Sequence, residues 1–183
     1  MRDTQVGQIL AVEKHPDADK LYVSSVDLGD PNNPRQILSG LRDHMSIPDL
    51  LHSRVLVVTN LKPAKMRGLE SNGMLLCATD YDPTSEENVV PVVRCVRPPE
   101  DAAVGTRLVL QDPCELETEA LQAQLNKPIP PPQINPKKKT NIWKVVAEKL
   151  TTDQEGYACY DGRRLITAEG SCQPTDVLNG RVT

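Results

Sequence analysis

Residues 60–74 read Asn60-Leu61-Lys62-Pro63-Ala64-Lys65-Met66-Arg67-Gly68-Leu69-Glu70-Ser71-Asn72-Gly73-Met74. Three cations (Lys62, Lys65 and Arg67) stand there against one acid, Glu70, in company with a proline and two glycines. Ammonium and guanidinium heads, small polar side chains and free backbone N–H groups are what a phosphate backbone asks of a protein. The same composition also describes a solvated loop joining two strands. Residue types alone leave both readings open.

Other groups that could do chemistry offer less. His15 lies near Asp17 and Asp19, and a histidine among carboxylates can act as a general base. No nucleophile or electrophile accompanies it in a recognisable spacing, and a turn with exposed charges accounts for the triplet. His15, His44 and His52 read as ordinary surface histidines without metal-ligand spacing. Five cysteines, Cys77, Cys95, Cys114, Cys159 and Cys172, form no C-x-x-C pair. That speaks against zinc and against a secreted disulfide framework, and for reduced thiols in the cytoplasm.

Composition narrows the classes further. The 183 residues carry a net charge of −4, with no Phe and only 3% aromatic residues. That argues against a surface that works mainly by stacking bases on rings, for which Tyr22, Tyr81, Tyr157, Tyr160 and Trp143 are the only candidates. The charge is uneven. Residues 54–70 hold four cations against one acid and residues 137–150 hold five against one, while acids gather at 80–87 and 112–119. One basic face on an acidic protein predicts binding that weakens steeply with salt. No apolar run approaches the about 20 residues of a membrane span, and no basic-then-apolar leader opens the chain.

The elements that must position the basic segment are short strands. Residues 6–13, 21–29, 35–40, 54–61 and 74–79 alternate or run apolar as strands do, with further strands at 89–96 and 106–110. Gly7 offers a bend or bulge in the first, and residues 46–51, with Pro48, make an irregular connector. Short strands without a long helix predict a small barrel or sandwich, and an OB-fold suits the pattern.

The exact residues add a resemblance. Residues 60–68 and 71–74 resemble the signature of the EMAP II-type tRNA-binding domain, which is appended to aminoacyl-tRNA synthetases and their accessory proteins. His15-Pro16-Asp17-Ala18-Asp19-Lys20-Leu21-Tyr22 and Ser39-Gly40-Leu41 resemble two further elements of that family. The resemblance implies a mainly β protein: a five-stranded OB-fold barrel with a C-terminal EMAP II-like α+β extension packed on it. It implies that Asn60, Lys62, Lys65, Arg67, Ser71 and Met74 line the tRNA site. Lys62, Lys65 and Arg67 would meet phosphates, Asn60 and Ser71 would hydrogen-bond, and Met74 would touch a sugar or base. Core filling is the better account of Met74.

Past residue 112 the composition changes. Residues 115–125 suit a short acidic helix and 127–132 a polyproline connector, so 113–134 reads as a linker between a barrel at 1–112 and an extension at 135–183. Asn135-Pro136 opens a helix as N-cap and first residue, with Ile142, Val145, Val146 and Leu150 on one face and Trp143 beside it. Residues 156–168 carry a hairpin turning at Asp161-Gly162. The resemblance implies that this unit imitates a dimer partner, so the chain is a monomer, with Trp143 buried against the barrel.

The function so implied is non-catalytic and cofactor-free. It is tRNA binding by backbone and shape, assisting a methionyl- or tyrosyl-type synthetase in cis or in trans, in the cytoplasm. The chain starts almost at its first strand, as expected of a piece of a longer protein. A protein-interaction or cytokine-like signalling domain is the alternative, although residues 4–8 lack the arginines of the signalling branch.

Overall fold

The computed structural model describes residues 4–80, 91–111 and 142–183. The long first strand, β1 (Thr4–Lys14), organises the fold because three segments use its two edges. Its second half pairs antiparallel with β2 (Tyr22–Asp27), and its first half pairs with β4 (Arg54–Val58). β3 (Arg35–Ser39) extends the sheet beyond β2, and β7 (Met74–Leu75) extends it beyond β4. Residues 105–108 then lie along the free edge of β1. Gly105 N–H donates to Val6 O at 2.7 Å, Val6 N–H to Thr106 O at 2.8 Å, and Leu108 N–H to Thr4 O at 2.9 Å. The result is a nearly closed five-stranded antiparallel barrel of the OB type, in the order β3-β2-β1-β4-β7.

A change of partner along one strand needs an irregularity, and the register with β2 shifts between Ile9 and Ala11. The expected bulge at Gly7 is therefore displaced. Gly7 serves close approach instead, since a Cβ there would lie 2.8 Å from Val26 Cγ1.

Two layers of apolar side chains explain why residues 55–58 are uninterrupted aliphatics. Val55 and Val57 point into the barrel with Ile9, Val26 and Ile37. Leu56 and Val58 point outward with Val6 and Leu76, where Leu150, Leu165 and Val182 cover them. A strand buried on both faces loses the polar half of its alternation. The short connector appears as α1 (Ile47–Leu50), whose Leu50 plugs the barrel interior.

The C-terminal unit joins the barrel by strand pairing as well as by packing. β8 (Cys77–Thr79) lies between β9 (Val93–Cys95) and the last strand, β15 (Arg181–Val182). β15 pairs with β11 (Leu150–Thr152), followed by β12 (Ala158–Tyr160), β13 (Arg163–Thr167) and β10 (Val109–Leu110), while β14 (Gly170–Ser171) pairs with β13. One sheet thus runs from extension to barrel wall. The predicted hairpin is present, with Tyr160 opposite Arg163. Asp161 and Gly162 have φ of 53° and 76°, the positive values a type I′ turn demands.

The helix α2 (Ile142–Glu148) differs from expectation. Leu150 belongs to β11, and Val145 is 57% exposed, while Trp143 and Val146 pack against the shared core. A strand start at Leu150 ends the helix a turn early, so the expected face is shorter. The Asn135 cap, the linker at 113–134 and the start of the 89–96 strand lie outside the described residues. No helix among the described residues is long and apolar enough to cross a membrane.

Asp153 ties the extension together. Its Oδ1 accepts the N–H groups of Glu155 and Tyr157, each at 2.9 Å, and its Oδ2 meets Arg164 Nε at 2.8 Å. Desolvation pushes the carboxyl up, but the Tyr157 and Glu155 amides and the Arg164 guanidinium outweigh it and hold the group below its ordinary value. A carboxylate with a lowered folded pKa contributes stability above its unfolded pKa, and that contribution is lost as pH falls through the folded value. Thermal unfolding of Asp153→Asn should therefore begin at a lower temperature than wild type at pH 7. The gap should begin to narrow near the unfolded carboxylate value of about 4 and close as pH falls through the lower folded value.

Candidate nucleic-acid interface

The expected basic loop is a hairpin. β5 (Ala64–Met66) and β6 (Leu69–Ser71) pair with Lys65 opposite Glu70 and Met66 opposite Leu69. Two residues remain for the turn, Arg67 and Gly68, with φ of 47° and 95°. Such a turn takes Asn-Gly or Asp-Gly most readily, and a left-handed arginine costs about 1–2 kcal/mol. The tip of the hairpin therefore holds a guanidinium where a better turn former would fit.

The hairpin is anchored through its backbone, which leaves its cations free. Ser71 Oγ accepts the Leu38 N–H and donates to Gly73 O, both at 3.0 Å, which locks the base of β6 against β3. Gln36 Nε2 donates to Glu70 O at 2.7 Å, and Asn72 N–H donates to Gln36 O at 2.9 Å. Arg35 Nη1 donates to Thr59 O at 3.0 Å.

Near the tip, His15 Nε2 lies 3.3 Å from Met66 O, and Asp17 N–H donates to His15 Nδ1 at 3.0 Å. Because Nδ1 accepts, the neutral ring carries its proton on Nε2 and donates it to Met66 O. His15 is thus no surface histidine. It is 3% exposed, and both ring nitrogens are satisfied inside the fold.

Lys65 and Arg67 are exposed on this hairpin, and Lys62 is exposed on the segment that leads into it. None of them has an ion pair with a described residue. Asn60 is half-buried just past β4. Ser71 is 3% exposed, with its hydroxyl engaged on both sides, so its place is in the hairpin base. Met74 is half-buried against the core shared with the extension. The six residues are thus neighbours in the fold but divide into an exposed cationic set and a supporting set. Arg35, exposed on β3 beside the hairpin base, adds a cation that sequence reasoning missed. Its local sequence carried no signal, because its partner Thr59 lies 24 positions away.

The family model described as "Putative tRNA binding domain" matches residues 4–107. The chain belongs to this tRNA-binding domain family. The similarity continues beyond the matched barrel. The cytoplasmic methionine–tRNA ligase of Caenorhabditis elegans is 38% identical over 178 residues, covering 97% of this chain and 17% of the ligase. The tRNA-aminoacylation cofactor arc1 of Schizosaccharomyces pombe is 34% identical over 191 residues, covering 100% of this chain and 38% of arc1. The chain therefore spans well under half the length of these relatives. Among solved structures, the C-terminal domain of Plasmodium vivax p43 superimposes with a TM-score of 0.77 at 28% identity, covering 98% of this chain and 95% of that domain. The extension is part of that match.

Within this tRNA-binding domain, His15 is the contact that reaches farthest along the hairpin. Truncation to Ala should loosen the tip without altering a surface charge. In His15→Ala the amides of Met66 and Leu69 should exchange with deuterium faster, by the about 0.5–1.5 kcal/mol that one net hydrogen bond contributes. Unchanged exchange there would show that Ser71 and Gln36 alone hold the hairpin.

Proposed function

We propose that this chain is a non-catalytic tRNA-binding module that holds folded tRNA by its backbone and shape and assists a linked or partner aminoacyl-tRNA synthetase. One observation carries the reading: three exposed cations that pair with no described residue, Lys62, Lys65 and Arg67, lie on and just before a hairpin whose backbone is fastened to the barrel. Lys62 and Lys65 supply point charges to phosphates, and Arg67 at the turn can bind one through two parallel N–H donors. With so few aromatic residues in the chain, recognition falls to shape, phosphate and 2′-hydroxyl contacts, with little sequence preference. Tethering then raises the local tRNA concentration at the synthetase without new contacts.

The finer assignments belong to the same proposal. A methionyl- or tyrosyl-type enzyme is the partner, and the nematode methionine–tRNA ligase supports the first. The compartment is the cytoplasm, in keeping with that relative's printed name. The barrel occupies 1–112 and the extension 135–183, joined by 113–134. The extension stands in for a dimer partner, so the chain is monomeric. Its support is the apolar outer wall of the barrel, which the chain's own β11, β13 and β15 already cover.

Binding of a tRNA mixture across a salt series tests the central claim. Lys65→Glu should weaken all tRNAs alike by about tenfold or more and flatten the log–log salt slope by about 1. Arg67→Asn should also weaken binding, yet leave thermal stability equal or higher, because the turn accepts Asn more readily. Equal affinity before and after both changes would favour the alternative, in which the hairpin docks an acidic protein.

A further inference from the structure

Two thiols that the tRNA site does not use face each other across adjacent strands. Cys77 on β8 is the register partner of Cys95 on β9, and their Sγ atoms lie 3.7 Å apart. Cys77 exchanges both of its backbone hydrogen bonds with Thr183 on the opposite side, at 2.8 and 2.9 Å. The ladder to β9 runs instead through its neighbours, as in the Val96 N–H to Leu76 O bond at 2.9 Å. Cys77 and Cys95 are thus a non-hydrogen-bonded antiparallel pair, the closer of the two pair types, with Cα atoms about 4.5 Å apart. That separation falls within the range that a disulfide spans, about 4.4–6.8 Å.

We propose that Cys77 and Cys95 form a peroxide-sensitive dithiol that closes to a disulfide. One thiol of the pair, as its thiolate, attacks the O–O bond of hydrogen peroxide and becomes a sulfenic acid, with hydroxide leaving. The other thiol then attacks that sulfur, the S–O bond breaks, water departs, and a Cys77–Cys95 disulfide remains. Two thiols are oxidised, and one peroxide accepts both electrons.

Either thiol can donate in the contact between them. Burial disfavours the thiolate of both, and the charge of Arg97 favours that of Cys95. Cys77 and Cys95 are 8% and 5% exposed, which favours a small neutral oxidant over a bulky disulfide. Among the described residues β9 is a three-residue strand at the end of its sheet, where fraying admits such a molecule. Cys172, by contrast, is pushed up to about 12 by desolvation.

Treatment of the full chain with hydrogen peroxide, followed by thiol counting and peptide mapping, tests the assignment. The expected result is the loss of two titratable thiols per chain, one cross-linked peptide joining Cys77 to Cys95, and a higher Tm that a dithiol reductant reverses. In Cys77→Ser and in Cys95→Ser that cross-link should not form, and the sulfenic acid on the remaining thiol of the pair should be captured by a 1,3-dione probe. An unchanged thiol count in the wild type, or a cross-link between other cysteines, overturns the proposal without reliance on either variant folding.

Discussion

An apolar wall with apolar residues on both faces cannot stand alone in water, and the architecture follows from that constraint. Val55 and Val57 fill the barrel while Leu56 and Val58 need cover from outside. Burial of each such side chain is favourable by about 1.5–3 kcal/mol relative to exposure, so the outward set is a strong demand for a partner surface. The chain meets it with its own C-terminal residues. β15 pairs with β8, which places Val182 on the wall and continues one sheet from extension to barrel. Barrel and extension therefore share a core as well as a backbone ladder.

With the outer wall covered and the interior filled, the hairpin β5–β6 is left as a projection whose charge is unspent. The fold fastens it through carbonyls, amides and two buried side chains, Ser71 and His15. Lys62, Lys65 and Arg67 are thereby held in one segment without an ion pair to any described residue. This resolves the tension between an overall charge of −4 and anion binding. Field strength at a phosphate depends on cations within about a Debye length, some 8 Å at physiological salt, and not on the sum over the molecule. Arg67 in a left-handed turn position makes the same point in backbone terms, since the turn tolerates a residue that other considerations must favour.

A core without phenylalanine has a further consequence. Small aliphatic and thiol side chains pack the barrel, and Cys77 and Cys95 serve there as compact apolar groups. Their pairing comes from the fold alone, because nothing in the 17 residues that separate them along the chain marks them as a pair.

Much was legible in the sequence because it is local. Alternation placed the strands, Asp161-Gly162 placed a type I′ turn, and the contiguous string at 60–74 identified both the family and the exposed cations. The residues that support the site were not legible. His15 binds a carbonyl 51 positions away and Ser71 an amide 33 positions away, so their burial depends on strands that only the folded chain brings together. The early end of α2 was hidden in the same way, since Leu150 starts β11, where it faces Tyr160 of β12 and its neighbour Thr151 faces Arg181 of β15. The sequence by itself determined the strand periodicity, the turn chemistry and the charges on offer. Tertiary structure alone decided which polar groups are consumed by the fold and which stay free for a ligand, because that division is set by contacts between residues far apart in the chain.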